Sequence, residues 1–393
     1  MQLGRSRRGA MSVLTAMAVA LVASGNAHAD RKSVSDGNDR PGKLDIRSAS
    51  HGHAGGRVVH TISTFSTWRV GLLGPRTPNL FAVEISTDGD RALERVALIF
   101  SRRGRMIAQV YRLSNRRLIF VGSASASKPN ARTVRLSIRP SHLGDPAGYR
   151  WKAHSQYRAA GACSNFCIDK APNRGRVLHD ITAPAIRLTS FPAIPADIEY
   201  DVSFTVSDRG GAGLRRWQLQ HRPFGTAGWT TVASGASGGL RTHHHVSVED
   251  NDDQFRVVAV DRQGNRRISP TRLVSVPIDD ASEPPLVYTG TWAHGPGDPQ
   301  DFRDTLSSSA TLDDTVVLTF TGRYVAWVAP GGGDGVASVM TDGVPAGEVF
   351  LADFSGRRRI VFQHTFASAG THSITITVTS DGGTVPIDGI IVR

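Results

Sequence analysis

Residues 199–211 read Glu-Tyr-Asp-Val-Ser-Phe-Thr-Val-Ser-Asp-Arg-Gly-Gly and decide the fold class of this chain. Apolar and polar side chains alternate from Tyr200 to Val206, which is the pattern of a strand with one buried face. Residues 208–211 then supply turn formers. Similar short apolar runs recur about every eight to twelve residues from Lys43 onward. No window favours a long amphipathic helix, so we predict an all-β chain.

Turn and proline signals divide the chain into three consecutive antiparallel β-sandwich modules. We predict that they cover residues 43–179, 184–279 and 286–393, with linkers that contain proline between them. The second module carries seven candidate strands in about 100 residues, which is typical of an immunoglobulin-like or fibronectin type III-like sandwich. Trp217 is its expected core anchor. The third module alternates in the same way and is predicted to be of jelly-roll type.

Residues 255–265, Phe-Arg-Val-Val-Ala-Val-Asp-Arg-Gln-Gly-Asn, resemble the last strand pair of bacterial fibronectin type III or Ig-like repeats. Such repeats act mostly as spacers or binding arms. The resemblance covers about a quarter of the chain and implies a spacer role for the second module, without implying a ligand.

The third module is similar to C-terminal jelly-roll modules of actinobacterial secreted proteins, which are galactose-binding-like. The segments that carry this resemblance are residues 288–292, 319–322, 325–327, 341–343, 370–372 and 387–389. It implies a tendency to bind sugars, sometimes with a structural calcium ion. Trp292 and Trp327 are the candidate sugar-stacking residues.

The first module resembles an uncharacterised β-domain of secreted actinobacterial proteins. The resemblance rests on residues 42–46, 64–68, 149–151 and 167–172. No activity follows from it.

The first 29 residues have the three parts of a secretory signal. A basic start with Arg5, Arg7 and Arg8 precedes an apolar run at residues 11–23 and a small-x-small cleavage site at residues 27–29. The run is too short to span a bilayer of about 30 Å, so no transmembrane segment is expected in the mature chain. The route, Sec or twin-arginine, stays open. We expect a secreted, extracellular protein, released or held non-covalently at the cell surface, with residues 30–42 as a flexible segment.

Cys163 and Cys167 are the two cysteines of the chain. Outside the cytoplasm, cysteines this close together usually form a disulfide. Two thiols are too few for a structural zinc site. We therefore expect a local disulfide in the first module.

Charge is concentrated in the first module. Residues 30–179 contain 26 Lys and Arg against 10 Asp and Glu, a formal charge of +16, whereas residues 281–393 carry 6 against 12. Such a field attracts anionic partners, although a basic face that only aids solubility explains it too. Arginine forks suit carboxylate, sulfate and phosphate groups. The candidate binding residues are Arg102, Arg103, Arg105, Arg112, Arg116 and Arg117.

Clusters of histidine and aspartate are candidate metal sites, but each cluster also has an explanation that needs no metal ion. His243 and His245 share one face of a predicted strand, and His51, His53 and His60 cluster near the start. Calcium has candidates at residues 36–39, 88–90 and 250–253, but none has EF-hand spacing and turn chemistry explains each. An exposed polar strand face explains the histidines. We predict no metal site and no cofactor, with calcium as the alternative.

No segment has the spacing of a catalytic motif. Residues 235–239 lack a nucleophile elbow, and residues 331–335 lack the Lys-Ser/Thr pair of a phosphate loop. No specific nucleic-acid motif is present. We predict a monomeric, non-catalytic binding or adhesion protein that contacts anionic or neutral polysaccharide or cell-wall polymer. The alternatives are an extracellular carbohydrate-active or wall-modifying enzyme, or its accessory subunit, with its site in the first module, and a structural surface protein without a small ligand.

Overall fold

The computed structural model describes residues 32–74, 79–88, 92–159, 163, 165–282 and 284–393. These residues form antiparallel strands joined by turns and short 3₁₀ segments, which confirms the all-β prediction. The strands enclose three large hydrophobic cores that follow one another along the chain. The predicted signal, residues 1–29, lies outside the described residues. Within the described ranges, no helix has the length and apolarity of a membrane span.

The first module is one antiparallel sheet of eleven strands: β1 (Lys32–Ser35), β2 (Ile46–Ala54), β3 (Arg57–Thr64), β4 (Leu80–Ser86), β5 (Arg95–Arg102), β6 (Arg105–Ser114), β7 (Arg117–Asn130), β8 (Thr133–Ile138), β9 (Gly148–Tyr157), β10 (Cys167–Ala171) and β11 (Val177–Asp180). Their order is β1-β2-β3-β8-β7-β6-β5-β4-β9-β10, and β11 also pairs with β9. The first part of β7 pairs with β6 and its last part with β8. Because one core joins residues of both halves, such as Ile62 and Val83, the halves face each other across it.

Strand β1 lies in the segment that the sequence predicts to be flexible, and that prediction is wrong for residues 32–35. Lys32 pairs with His51 and Ser35 with Ser48 in an antiparallel ladder. An edge strand is held by backbone hydrogen bonds, so its polar side chains can stay in water. Val34 alone packs against the core.

The second module is a sandwich of two sheets built from β12 (Ala185–Ser190), β13 (Glu199–Ser207), β14 (Leu214–Pro223), β15 (Thr230–Gly235), β16 (Gly239–Val246), β17 (Asn251–Asp261), β18 (Arg266–Ile268) and β19 (Arg272–Val276). One sheet has the order β12-β13-β16 and the other β15-β14-β17-β18, with β19 beside β17. This is a fibronectin type III-like arrangement. The alternating residues of β13 are buried as predicted, and Trp217 packs edge-on against Phe204, with ring centroids 5.3 Å apart.

The third module has a seven-stranded and a three-stranded antiparallel sheet, formed by β20 (Ile278–Asp279), β21 (Leu286–Thr289), β22 (Ala293–Pro296), β23 (Thr305–Ser309), β24 (Thr315–Ala329), β25 (Val336–Thr341), β26 (Val344–Phe350), β27 (Arg359–Val378), β28 (Val385–Ile387) and β29 (Gly389–Val392). Strands β22, β23 and β28 make the smaller sheet. The core takes side chains from both sheets. The jelly-roll assignment stays a prediction.

The first two modules meet around Asp180, the last residue of β11, whose side chain is buried. The backbone N–H of Asp180 donates to Gln263 Oε1 at 2.8 Å, and Asn265 Nδ2 donates to the Asp180 carbonyl at 2.9 Å. A side chain at Gly210 would overlap the Asp180 carboxylate, so this approach requires glycine. The junction is therefore a packed contact.

Phe302 of the third module lies in the core of the second. Its side chain is fully buried among the second module's apolar residues, while its backbone N–H donates to Asp388 Oδ1 at 2.7 Å in the third. The Arg393 side chain of the third module also contacts the second module: it donates hydrogen bonds to the Asp252 carboxylate and, at 2.6 Å, to Ser275 Oγ. The Phe302 ring of the third module thus completes the core of the second module.

Candidate functional site

The end of the β6–β7 hairpin is the candidate functional site; we call residues 111–121 the basic tip. Leu113 pairs with Leu118 and Ser114 with Arg117, so Asn115 and Arg116 form the two-residue turn. Both turn residues have positive φ, 48° and 61°. Two such residues match a type I′ turn, whose twist fits the two strands of a hairpin.

The basic tip combines exposed arginines with exposed apolar side chains. Arg112, Arg116 and Arg117 are exposed, and within the described part of the chain none of them has an ion-pair partner. The apolar residues that follow the turn are exposed too: Leu118 by 50%, Ile119 by 43%, Phe120 by 52% and Val121 by 36%. Successive strand residues point to opposite faces, so both faces of the hairpin end are open to solvent. Exposed apolar side chains on both faces, beside unpaired arginines, make this hairpin end a candidate interaction surface.

Arg102, Arg103 and Arg105 form a separate cluster at the other end of β6. They flank the β5–β6 turn, where Arg102 pairs with Arg105. The ten residues of β6 place the two arginine clusters about 30 Å apart, at about 3.4 Å per residue. The six predicted arginines therefore lie in two separate clusters.

Trp327 is a core residue, and its prediction as a sugar-stacking residue is wrong. It is fully buried, and its indole N–H donates to the Pro386 carbonyl at 3.1 Å. Its neighbours in β24 are also buried, because this part of the strand is covered on both faces. Trp292 is half-buried and packs edge-on against Tyr288, with ring centroids 5.1 Å apart. It keeps part of its ring open to solvent.

In the second module, His245 lies beside His221 and Asp253 as well as beside His243. His221 Nε2 lies 2.5 Å from Asp253 Oδ1, and His245 Nε2 lies 3.3 Å from Oδ2. Ser247 Oγ and the Tyr200 hydroxyl also donate to Oδ2, at 2.6 and 2.7 Å. Burial alone would raise the pKa of Asp253, but these hydrogen bonds outweigh it and hold the pKa below its usual value. The carboxylate is the common acceptor that fixes both rings.

His221, His245 and Asp253 each offer a ligand atom, and these atoms lie within 4.8 Å of one another. His245 is buried, so the interpretation of this strand as an exposed polar face fails at that residue. The ring of His243 lies 6.1 Å from that of His245, on the same face as predicted.

Two of the three histidines predicted to cluster in the first module, His51 and His60, are part of its buried core, whereas His53 is only partly buried beside them. His51 and His60 come together with His179, and all three are at most 1% exposed. The rings of His51 and His179 stack at 3.9 Å, and His60 Nε2 and His179 Nδ1 each lie 2.8 Å from the Tyr149 hydroxyl. Burial, and then the neighbouring histidines, lower the pKa of His60 well below its ordinary value.

Acidic side chains converge where the loop of residues 36–45 meets β10. One carboxylate oxygen each from Asp36, Asp39 and Asp169 lies within 4.8 Å of the others. Asp45 is buried beside them. Burial, and then the Asp169 carboxylate, raise the pKa of Asp36 to about 7 and that of Asp45 to about 6. The other acidic segments differ: Asp90 lies outside the described residues, and Asp252 pairs with Arg393.

The disulfide Cys163–Cys167 is formed, as predicted from the cysteine spacing. Cys167 begins β10, two residues before Asp169. The bond therefore holds the start of the strand that carries one of the clustered carboxylates.

Comparison with known proteins identifies no family for this chain and gives only distant similarity to solved structures. No family model and no curated protein matches this chain. Among solved structures, the fibronectin(III)-like modules of Clostridium thermocellum CbhA are 14% identical, cover 56% of this chain and 84% of their own, with a TM-score of 0.24. A Ca²⁺-stabilised adhesin of an Antarctic bacterium that binds ice is 14% identical over 86% and 69%, also with a TM-score of 0.24. SGBP-B of the Bacteroides ovatus mixed-linkage glucan utilization locus, in complex with a mixed-linkage heptasaccharide, is 10% identical and covers 78% of this chain and 90% of its own, with a TM-score of 0.17.

Proposed function

We propose that this chain is a secreted, non-catalytic attachment protein whose first module binds an anionic surface polysaccharide through the basic tip. The observation that carries the proposal is the tip itself: three unpaired arginines beside four exposed apolar side chains, in the module with the large positive charge. Guanidinium groups form paired hydrogen bonds with carboxylate, sulfate or phosphate groups on a polymer. Phe120 and its apolar neighbours add contact area for the non-polar faces of sugar rings.

The second and third modules serve as spacer and secondary contact in this proposal. Tyr288 and Trp292 give the third module a half-buried aromatic pair at its surface, which suits a weak sugar contact. A monomer that is secreted and then held non-covalently at the cell surface fits this division of roles.

The polysaccharide test compares two variants that lose the same charge. Replacing Arg112, Arg116 and Arg117 together by Gln removes the tip cluster, and replacing Arg102, Arg103 and Arg105 by Gln removes the cluster at the other end of β6. Retention of the full chain is measured on insoluble cell wall and on immobilised acidic polysaccharides, at low and high salt. We expect the tip variant to bind at least about tenfold more weakly, since one hydrogen bond to a charged group contributes about 1.5–3 kcal/mol. The other variant should keep most of the affinity.

Salt gives an independent readout. At about 1 M salt the Debye length falls to about 3 Å, so retention through exposed arginines should be lost. Equal losses in the two triple variants would mean that the module's overall charge, and not the tip, drives binding. Failure to bind any acidic polymer would overturn the proposal.

A second candidate function is attachment to a membrane. Leu118–Val121 are exposed on both faces of the hairpin end, which is more apolar surface than a sugar ring needs. Apolar side chains flanked by arginines can insert at the headgroup boundary of an anionic bilayer. Co-sedimentation with vesicles that contain phosphatidylglycerol, using wild type and Phe120→Ser, separates the two: binding to vesicles but not to polysaccharide would favour the membrane.

A further inference from the structure

We propose that the first module holds a calcium ion between the loop of residues 36–45 and strand β10, bound by carboxylates of Asp36, Asp39 and Asp169 and placed beside the buried carboxylate of Asp45. This site lies in a different part of the module from the basic tip and does not depend on the proposed function.

The first support is geometric. Asp36, Asp39 and Asp169 place one carboxylate oxygen each within 4.8 Å of the others. Calcium takes six to eight oxygen ligands at about 2.3–2.6 Å, so oxygens at such separations can share one ion. The donors are all oxygens, which favours calcium or magnesium over zinc. Water and backbone carbonyls of the loop would complete the shell.

The second support is a buried carboxylate oxygen without a partner. Asp45 is fully buried; its Oδ1 accepts the Arg40 backbone N–H at 3.2 Å, whereas its Oδ2 has no hydrogen-bond partner. The carboxylates of Asp169 and Asp39 lie close enough to raise the pKa of Asp45 in addition to the effect of burial. A buried charge is costly unless it is paired or binds a metal. Asp45 is independent of the three residues whose oxygens converge, and its unpartnered oxygen lies in a carboxylate close to two of them, Asp39 and Asp169.

Other polar groups around Asp45 also lack partners. The Tyr157 hydroxyl, on a residue 2% exposed, also lacks a hydrogen-bond partner and lies near Asp45 and Asp169. Within the described part of the chain, none of the four carboxylates forms an ion pair with Lys or Arg. In a module with a formal charge of +16, four carboxylates without a basic partner are a favourable place for another cation.

The loop is shaped to approach this point. Gly42 has a φ of 126°, and a side chain there would overlap the Tyr157 ring. Glycine lets the backbone pass close to Tyr157 and return to Asp45. Calcium accepts an irregular arrangement of oxygen ligands, whereas magnesium demands near-ideal octahedral geometry.

The experiment uses the full chain, with Ca²⁺ and Tb³⁺ as probes. Tb³⁺ replaces Ca²⁺ at oxygen sites, and its emission would be sensitised by the neighbouring Tyr157. We expect Tb³⁺ emission that Ca²⁺ displaces, and a Ca²⁺-dependent rise in the melting temperature. Magnesium should displace Tb³⁺ at least tenfold less effectively. Equal displacement by both ions would overturn the calcium assignment.

Variants at exposed positions keep the test independent of folding. Asp39→Asn changes an exposed ligand and should weaken the apparent Ca²⁺ affinity at least tenfold. Asp381→Asn removes an equal charge from an exposed turn of the third module and should leave the affinity unchanged. If wild type shows no Tb³⁺ emission that Ca²⁺ displaces, or if Asp39→Asn binds like wild type, the clustered carboxyls share protons and the proposal is wrong.

Discussion

At the residue scale, the Tyr149 hydroxyl shows how buried polar groups organise the first core. It lies 2.8 Å from His60 Nε2 and 2.8 Å from His179 Nδ1, deep in an apolar cluster. A hydroxyl donates one hydrogen bond and accepts others, so it can satisfy two neutral imidazoles. Two protonated rings would both be donors here and would repel each other. The buried position and the neighbouring histidines therefore favour a neutral His60, whose pKa lies well below its ordinary value.

Acid should destabilise the first module through His60. Its pKa is lowered in the folded state, so the unfolded chain takes up the proton first, and stability is lost as pH falls from about 6.5 toward the lower folded value. We expect His60→Gln to reduce the pH slope of the free energy of unfolding below pH 6.5, by up to about 1.4 kcal/mol per pH unit. Urea unfolding at pH 7.5, 6.0 and 5.0 measures it.

The control for this prediction is His244→Gln, which removes a histidine with a 60% exposed side chain. Its slope should follow that of wild type. If His60→Gln follows wild type as well, His60 is not the group that takes up the proton.

Trp327 should contribute stability and no binding. Because it is fully buried, Trp327→Ala should lower the free energy of unfolding of the third module by about 3–5 kcal/mol. Trp292→Ala should cost less, since its side chain is only half-buried. Denaturant unfolding followed by fluorescence measures both. A loss of sugar affinity in a folded Trp327→Ala protein would contradict the core assignment.

At the element scale, local patterns predict strands, whereas clusters depend on how strands pair. The alternation from Tyr200 to Val206 is sufficient to predict β13 and its buried face. No local signal links Asp36 to Asp169 or His221 to His245, because strand register brings them together across long stretches of chain. Trp327 did carry a signal: the unbroken apolar run Val325–Ala329 is typical of a strand buried on both faces.

The turn of the basic tip allows charge and shape to be separated. Arg116 has a positive φ, which glycine adopts without a steric penalty. Arg116→Gly should therefore keep or raise hairpin stability, by up to about 1 kcal/mol, while it weakens binding to anionic polymer. Thermal unfolding and polymer retention measure the two effects on one sample. Unchanged retention would exclude Arg116 from the contact.

At the scale of the whole molecule, the modules are joined by contacts that belong to both neighbours. Asp180 binds the turn that contains Gln263 and Asn265, and Phe302 fills the core of the module before its own. The sequence predicts linkers in these places. Proline and acidic residues do mark the boundaries, but burial of Asp180 and Phe302 depends on the surface of the adjacent module, which a local pattern does not encode.

Phe302→Ala should destabilise the second module, although the residue follows the predicted boundary at 286. Removing a fully buried aromatic ring costs about 3–5 kcal/mol. Calorimetry of the full chain should show a lower transition temperature for the second module. Phe350→Ala, at a ring 47% exposed in the third module, is the matched control and should change little. An unchanged second-module transition in Phe302→Ala would mean that its core is complete without this ring.

The separation of the two arginine clusters along β6 affects how many polymer contacts one protein molecule can make. One rigid strand with a cationic group at each end can engage two polymer chains, or two points on one chain, about 30 Å apart. If both ends bind, a monomer acts as a cross-linker between polymer chains. The turbidity of a polymer solution should then rise as protein is added. It should fall again when protein is in excess, because each polymer chain is then coated separately. Removing the cluster of Arg102, Arg103 and Arg105 alone would then leave a protein that still coats a surface through the basic tip but joins nothing to it.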